Sequence, residues 1–453
     1  MSKLFISENI VLKDSILDGG ILIKNGKITK LLPRNILEKM ENTVDFKDSY
    51  LMPGLIDSHV HLNEPGRTDW EGFETGTKAA AVGGITTIYD MPLNSIPPTT
   101  TLDNLRTKVN AAKGKTYVNV GFWGGLVPGN QDELRAMVDA GVVGFKGFLC
   151  PSGVDEFPNI NRKDMEKAYE KLQTTNATLL FHAEEGCCNN SSEEVTESPF
   201  KYSTYLKSRP DALEMNAITM IIECLKKYKV KSHIVHLATA KGLDIIKKAK
   251  DAGLPLTVET CHHYLNLHSE EIEDRRTEFK CAPPIRSLAN QKLLWNGLTS
   301  GIIDMVVSDH SPSTPDLKLL TSPNDSDYGN FMKAWGGIAS LQFGLSLMWS
   351  QCKQRGISIH AMNRFVTQHT AKLVGLQKTK GFIAENYDAD LVVWNPNDTI
   401  QVETNIIQHK NKVTPYLGKT LHGKVIATIV GGEIIYSQET GLAPPCGKLL
   451  VTL

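Results

Sequence analysis

The sequence has no long hydrophobic run and almost no net charge. No stretch of ~20 apolar residues is present, so we predict no membrane-spanning helix. The 49 Lys and Arg residues balance 50 Asp and Glu residues, which leaves a formal net charge of −1. Such a chain produces no overall field that would attract nucleic acid or an anionic lipid surface. We therefore expect neither a nucleic acid nor a membrane among its partners.

The chain also lacks the cysteine pattern of a disulfide-stabilised secreted protein. Its eight cysteines include no Cys-x-x-Cys pair, and the adjacent Cys187 and Cys188 cannot easily bridge each other. Residues 1–5 lack the apolar core of a signal peptide, and residues 451–453 are not a Ser-Lys-Leu-type address. We expect an intracellular, cytoplasmic protein, with the mitochondrion and the peroxisome left open as alternatives.

What the sequence does contain is an alternation of short apolar runs with longer amphipathic stretches. Eight such runs predict eight strands, and their continuous apolar character is typical of strands that are buried on both faces. Eight strands that alternate with helices are typical of a (β/α)8 barrel. The alternative, an open doubly wound sheet, is less favoured because no Gly-x-Gly-x-x-Gly turn follows an early strand. The runs are 55–61, 85–91, 117–122, 143–149, 178–183, 233–237, 255–260 and 303–309.

Both ends of the chain carry a different pattern of short strands and turns. Residues 21–28 contain two apolar-rich runs around Asn25-Gly26, which is a hairpin signal. Residues 390–394 and 425–436 are β-branched runs near the other end. We expect the ends to meet in one small β-sandwich domain, built from 1–52 and 381–453, beside a barrel at 53–380.

The most informative short motif is His59-Val60-His61, at the end of the first predicted strand. A strand alternates its side chains between two faces, so residues i and i+2 point the same way. Two neutral imidazoles side by side form half of a metal site. The motif alone is weak, because histidines also fall two apart by chance.

Further reactive side chains follow at the ends of other predicted strands. The carboxyl ends of all barrel strands meet at one rim, where barrel active sites lie. A buried lysine must be neutral, paired or chemically modified, and a buried aspartate needs a partner such as a metal ion. The six candidate metal ligands are His59, His61, Lys146, His182, His236 and Asp309.

Other histidines offer alternatives to this set. His233 lies three residues before His236, so a strand would point the two side chains to opposite faces. We select His236 because it lies nearer the strand end. His262, His263 and His310 lie close to the predicted rim, where they would contact ligands or substrate, or serve only as polar loop residues.

Residues 53–61, with the sequence PGLIDSHVH, resemble the opening signature of the amidohydrolase superfamily. The lysine, histidine and aspartate segments follow in the order of that superfamily, and residues 388–392 resemble its composite β-domain. Within it the chain is similar to the cyclic amidases. Four runs resemble the allantoinases among them, namely 63–73, 148–158, 334–338 and 414–418.

The resemblance implies a site with two divalent metal ions, with zinc the first choice. His59, His61 and Asp309 would hold one ion, and His182 and His236 the other. Lys146, carboxylated by CO2, would bridge them. A metal-bridged hydroxide would open the hydantoin ring of allantoin to give allantoate, with Asp309 moving the proton. Relatives are commonly homotetramers.

The resemblance also implies residues that contact the substrate. Dihydroorotases carry an arginine for the substrate carboxylate at the position of Asn63, and asparagine has no charge for that role. Alternatives to the allantoinase reaction are hydantoinase or dihydropyrimidinase activity and a catalytically silent scaffold, which would lack the ligands. The candidate substrate contacts are Asn63, Ser152, Ala282, Gly336 and Gly337.

Overall fold

The computed structural model of the chain describes residues 2–37, 41–186 and 197–453. Cys187 and Cys188 lie outside these ranges, so the expectation that they do not bridge each other stays a prediction. The strands of the described part are, in chain order, β1 (Ser2–Val11), β2 (Ile16–Lys24), β3 (Lys27–Pro33), β4 (Thr43–Asp45), β5 (Tyr50–Pro53), β6 (Leu55–Val60), β7 (Ile85–Asp90), β8 (Asn119–Phe122), β9 (Gly124–Gly125), β10 (Gly144–Phe148), β11 (Thr178–His182), β12 (Ser232–Ile234), β13 (Leu256–Cys261), β14 (Met305–Val307), β15 (Leu391–Gln401), β16 (Thr420–Val430), β17 (Glu433–Ser437) and β18 (Gly441–Leu442).

Helices separate most of the strands from β6 to β14. Asn161 starts one of them with a capping box: its side chain accepts hydrogen bonds from the amides of Lys163 and Asp164, and Asp164 accepts one in return. The α-helices are α1 (Phe73–Val82), α2 (Leu102–Ala112), α3 (Leu134–Asp139), α4 (Arg162–Leu172), α5 (Tyr202–Ser208), α6 (Asp211–Tyr228), α7 (Leu243–Asp251), α8 (His262–Asn266), α9 (Leu288–Thr299), α10 (Gly344–Gln354), α11 (Ile359–Asn363) and α12 (His369–Leu373). Among the residues described, no helix combines the length and apolarity that a bilayer crossing requires.

The predicted (β/α)8 barrel is confirmed. Strands β6, β7 and β8 pair in parallel, and β9 to β14 form a second parallel run. Only Trp123 separates β8 from β9, so these two short strands together occupy the third position of the barrel. A parallel bridge between Val60 and His310 joins the first strand to the chain just after the last one and closes the ring. All carboxyl ends of the strands therefore face one rim.

A nine-stranded sheet contains strands from both ends of the chain. Its order is β18-β17-β16-β15-β5-β1-β2-β3, and β4 pairs with β1. The antiparallel pairing of β15 with β5 joins the two ends. The predicted hairpin is confirmed as β2 and β3, and its turn has Asn25 and Gly26 at φ 52° and 75°, the positive values that a tight hairpin turn requires. The domain limits at residues 52 and 380 remain a prediction.

The sheet is attached to the barrel by side-chain hydrogen bonds as well as by packing. Asn119, at the start of β8, donates to Asp390 at 3.1 Å. Thr428 of β16 donates to the carbonyl of Ala81 in α1 at 2.6 Å. The sheet also has a hydrophobic core of its own, formed by side chains of its strands. That core includes Phe5, Ile10, Ile21, Ile23, Leu51, Leu391, Val393 and Ile429.

Candidate metal centre

His59 and His61 lie at the rim end of β6 and point to the same side. The Nε2 atom of His59 is 3.1 Å from Oδ1 of Asp309, and Nε2 of His61 is 3.5 Å from the same oxygen. Their ring centres are 5.5 Å apart. The alternation of side chains along a strand therefore brings two imidazoles and one carboxylate together, although β6 and Asp309 are distant in sequence.

The other three candidate ligands complete a ring of buried groups. His182 ends β11, and the centre of its ring is 4.5 Å from that of His236. The rings of His236 and His59 have centres 5.5 Å apart. The Nζ atom of Lys146 is 3.0 Å from Nε2 of His59. The structure thus brings all six predicted ligands to one place at the rim.

Besides His61, which directly follows β6, two of these residues lie beyond the strands in which the sequence analysis placed them. Strand β12 ends at Ile234 and β14 ends at Val307, before His236 and Asp309 respectively. Both residues have positive φ, 41° and 43°. A left-handed backbone costs a non-glycine residue about 1–2 kcal/mol, and such strain persists only where the surrounding structure holds it. The turn, rather than strand alternation, aims these two side chains.

His233 is excluded as a ligand by its own hydrogen bonds. Its Nδ1 pairs with the hydroxyl of Thr257 at 2.8 Å, and its Nε2 pairs with Glu259 at 3.0 Å. Both ring nitrogens are therefore used inside the barrel wall. The choice of His236 over His233 agrees with this geometry.

Two glutamates that the sequence analysis missed orient the histidines. Glu259 lies 2.5 Å from Nδ1 of His59 and accepts a hydrogen bond from the amide of His236 at 3.3 Å. Glu184 lies 2.8 Å from Nε2 of His182. A carboxylate on one nitrogen keeps the proton there and leaves the other nitrogen free to bind a metal. The sequence signal that could have revealed them is an acidic residue within an apolar run or directly after it.

Burial keeps the imidazoles uncharged. It lowers the pKa values of His59, His61, His182 and His236 below the usual 6.5. Burial also lowers the pKa of Lys146 from 10.5 to about 8, even though Asp309 and Glu259 favour its charged form. Neutral imidazole and neutral amine are the forms that bind a metal and react with CO2.

The donor atoms fit a divalent cation. One ligand atom from each of His59, His61 and Asp309 lies within 4.8 Å of the others. The Nδ1 atoms of His61 and His236 are buried without a hydrogen-bond partner in the described part of the protein. Nitrogen and carboxylate oxygen ligands suit zinc and also manganese, cobalt or iron. A buried set of imidazole and carboxylate ligands at the carboxyl rim of a barrel is typical of metal-dependent enzymes.

Two further sets of three residues also bring their possible ligand atoms within 4.8 Å of one another. They are Cys150 with His182 and Glu184, and Cys261 with His263 and Asp309. In the first, Glu184 already forms an ion pair with Arg209 at 2.5 Å. Each group shares one residue with the six-residue set, so neither is a separate centre.

A cavity of about 420 Å³ opens onto these ligands. Ser152, Ala282, Gly336 and Gly337 line it, whereas Asn63 is not part of the lining. The Asn63 amide donates to the carbonyl of Pro312 at 3.3 Å, and its Oδ1 is buried without a partner among the described residues. Four of the five candidate substrate contacts therefore reach the cavity.

Some of these lining groups already form hydrogen bonds within the protein. The hydroxyl of Ser152 donates to the carbonyl of Phe157 at 2.6 Å, and the amide of Gly337 donates to the carbonyl of Lys280 at 2.8 Å. Gly336 differs, because a Cβ atom added there would meet nothing closer than 3.9 Å. Gly336 thus leaves open space beside the cavity.

The three remaining rim histidines are not part of the cavity lining. His310 pairs through Nε2 with Glu71 at 3.2 Å and accepts the amide of Ser340 at 3.2 Å, which is a structural role. Burial lowers the pKa of His262 to about 3 and that of His263 to about 4, so both are neutral.

The chain belongs to the amidohydrolase family, whose model matches residues 50–435, and it is therefore a hydrolase. It is 45% identical over 440 residues to the allantoinase of Saccharomyces cerevisiae, covering 96% of this chain and 92% of the relative. It is 51% identical over 371 residues to the mitochondrial allantoinase of Aquarana catesbeiana, covering 82% and 75%. Among solved structures, the L-hydantoinase (dihydropyrimidinase) from Arthrobacter aurescens superposes with a TM-score of 0.92 at 27% identity, covering 100% of both chains.

Proposed function

We propose that this protein catalyses the allantoinase reaction, in which the ring amide of allantoin is hydrolysed to give allantoate. The observation that carries the proposal is the gathering of six ligand-type side chains at one barrel rim. The 45% identity to an allantoinase over nearly the whole length of both chains selects the substrate. The cavity of about 420 Å³ has the size of a small-molecule site.

The proposed cofactor is a pair of divalent metal ions, with zinc as the first choice. His59, His61 and Asp309 would hold one ion, His182 and His236 would hold the other, and carboxylated Lys146 would supply oxygen ligands to both. The lowered pKa of Lys146 supports this assignment, because carboxylation by CO2 needs the neutral amine. When bound, the metals supply a reactive water at neutral pH and polarise the carbonyl that is attacked.

Asp309 is the proposed general acid and base. It takes the proton of the attacking water and passes it to the ring nitrogen, because an amide nitrogen leaves poorly as an anion. Its Oδ1 lies against the imidazoles of both His59 and His61, so its position is tightly defined. Burial alone would raise the pKa of Asp309, but its hydrogen bond with His61 and other nearby interactions lower that pKa, so the carboxylate is ionised and can accept a proton.

A second candidate function is hydrolysis of other cyclic ureides. The TM-score of 0.92 with a hydantoinase favours it, whereas the identity there is only 27%. A scaffold role without catalysis predicts missing ligands, and all six are present. The proposed substrate contacts remain Ser152, Ala282, Gly336 and Gly337. We propose that the uncharged Asn63 helps to shape the site.

We propose a homotetramer, by resemblance to the family, and a cytoplasmic location. The cysteines support a reducing compartment, because Cys224, Cys261, Cys281 and Cys352 are buried and none of these four forms a disulfide bond within the described part of the chain.

The decisive experiment is a substrate panel with metal analysis on the same purified sample. We expect ring opening of allantoin to exceed that of hydantoin, dihydrouracil and dihydroorotate, with about two metal ions per chain. Rapid turnover of another ring and none of allantoin would overturn the allantoinase assignment. A metal-free protein that gains no activity with zinc and bicarbonate would favour the scaffold.

A further inference from the structure

The cavity has a cationic wall that the proposed metal chemistry does not use. Lys280 and Arg209 line the cavity, and Lys318 lies next to Lys280, donating a hydrogen bond to its carbonyl at 3.4 Å. Lys280 and Lys318 are only 7% and 3% exposed. Lysines are almost never so buried unless their charge is paired, so this pair of lysines calls for an explanation.

Lys280 has no carboxylate partner in the described part of the chain. Its Nζ donates to the carbonyls of Ala334 at 2.5 Å and Met332 at 3.2 Å, and lies 4.9 Å from the ring centre of Tyr205. An ammonium group has three N–H donors, so two carbonyls leave one donor without an acceptor. Because Lys280 lines the cavity, an oxygen atom of a bound ligand can accept a hydrogen bond from this third donor.

The electrostatics of this wall point to the same conclusion. Burial, together with the charges of Lys318 and Arg209, lowers the pKa of Lys280 to about 7. The lowered pKa indicates an imbalance at Lys280, because its ammonium form lacks sufficient negative charge and acceptors nearby. A ligand with an electron-rich oxygen removes part of that imbalance on binding, whereas an apolar ligand leaves it in place.

We propose that Lys280 is a specificity residue that donates a hydrogen bond to the ureido oxygen of allantoin. This inference rests on the proposed allantoinase reaction. The ring amide must lie at Asp309 and the histidines, so the ureido substituent extends along another wall of the same cavity. Gly336 follows the Ala334 contact of Lys280 by two residues and leaves space there for a substituent.

The alternative is that Lys280 only fastens the 332–337 segment to the barrel. Lys318 provides a matched control for this, because its Nζ also donates only to backbone carbonyls, those of Gly337 and Lys280. It is equally buried, but it does not line the cavity. Removing either lysine disturbs the same segment, and only Lys280 can touch the substrate.

The test compares Lys280→Met with Lys318→Met in the metal-loaded enzyme. Methionine keeps the length of the lysine stem and removes its donors. We measure kcat/KM for allantoin, and we measure the affinity for unsubstituted hydantoin, which has no ureido group. Hydantoin is followed as a substrate, or as a competitive inhibitor if it is not turned over.

For Lys280→Met we expect kcat/KM for allantoin to fall about 10- to 100-fold, which is the loss typical of a charged hydrogen bond. The affinity for hydantoin should change less than about twofold. For Lys318→Met we expect kcat/KM for allantoin and the affinity for hydantoin to change by similar factors. Equal losses for both compounds in Lys280→Met would overturn the inference and make Lys280 a structural tie. A wild-type enzyme inactive on allantoin would instead overturn the proposed function.

Discussion

The carboxylate of Glu259 lies 2.5 Å from Nδ1 of His59. This contact decides which nitrogen of the histidine faces the candidate metal centre, because the proton stays on the nitrogen next to the carboxylate. The lone pair of Nε2 then points toward Asp309 and Lys146, at 3.1 and 3.0 Å. A residue outside the set of six predicted ligands thus controls the geometry of one of them.

We therefore expect Glu259→Gln to weaken metal binding about 10- to 100-fold, the range found for such supporting carboxylates. Metal retained after dialysis against a graded chelator series measures the effect. Glu270→Gln is the control, since Glu270 is exposed and contacts His268, Ser269 and the amide of Leu288, none of which is a candidate ligand. Equal metal retention in both variants would contradict the role of Glu259.

The pair His233 and His236 allows a sharp test of the ligand assignment. We expect His236→Ala to lose one metal ion per chain together with activity. His233→Ala should keep its metal but unfold at a lower temperature, because its contacts with Thr257 and Glu259 are buried. Metal analysis and thermal unfolding distinguish the two; loss of metal from His233→Ala alone would reverse the assignment.

Lys146→Ala should lose metal and activity because the bridging carboxylate is gone. Acetate or propionate added to this variant should restore part of both, since a small carboxylate fits the space of the missing side chain and supplies the same oxygens. Activity against carboxylate concentration measures the rescue. Normal rates in Lys146→Ala without any added acid would rule out the bridge.

The pKa of Lys146, lowered by burial to about 8, predicts how pH affects assembly of the site. Its neutral fraction rises from about one-tenth at pH 7 to about nine-tenths at pH 9. With zinc and a constant concentration of dissolved CO2, recovery of activity by metal-free protein should accelerate about tenfold over this range and then level off.

An ordinary lysine pKa of 10.5 gives a different profile, in which recovery still accelerates about tenfold per pH unit at pH 9. The histidine ligands do not add to the slope, because burial lowers their pKa values below 6.5 and they are neutral throughout. A profile without a plateau would show that Lys146 is not the group that limits assembly.

Asp309→Asn separates metal binding from proton transfer. Asparagine keeps an oxygen ligand but cannot accept the proton, so we expect part of the metal to remain while kcat falls about 100- to 10,000-fold. Metal content and kcat measured on one sample give the answer. A variant that retains both metal and turnover would remove Asp309 from the proton path.

Much of the fold was predictable because its signals are local. Each of the eight apolar runs overlaps a barrel strand. The break of the third strand at Trp123 was not predictable. The indole of Trp123 donates to the carbonyl of Ser58 in β6 at 2.8 Å, a contact across the barrel that no local pattern encodes.

The site was predictable in its residue types and less so in its details. His59 and His61 follow from strand alternation alone. The orientation of His236 and Asp309 depends on positive φ values in the turns after β12 and β14, which no pattern of side chains indicates. The hydrogen bonds of Ser152 with Phe157 and of Gly337 with Lys280 were equally hidden, because both depend on the folded path of the backbone.

The sequence by itself determined the strand–helix alternation, the six reactive side chains and the absence of a disulfide framework, since these depend on composition and on residue spacing along the chain. Only the tertiary structure decided which nitrogen of each histidine is free, that Glu259 and Glu184 support them, and that Lys280 lies buried in the cavity wall. These features are contacts between residues distant in sequence, and their energies depend on burial, which exists only once the barrel has closed.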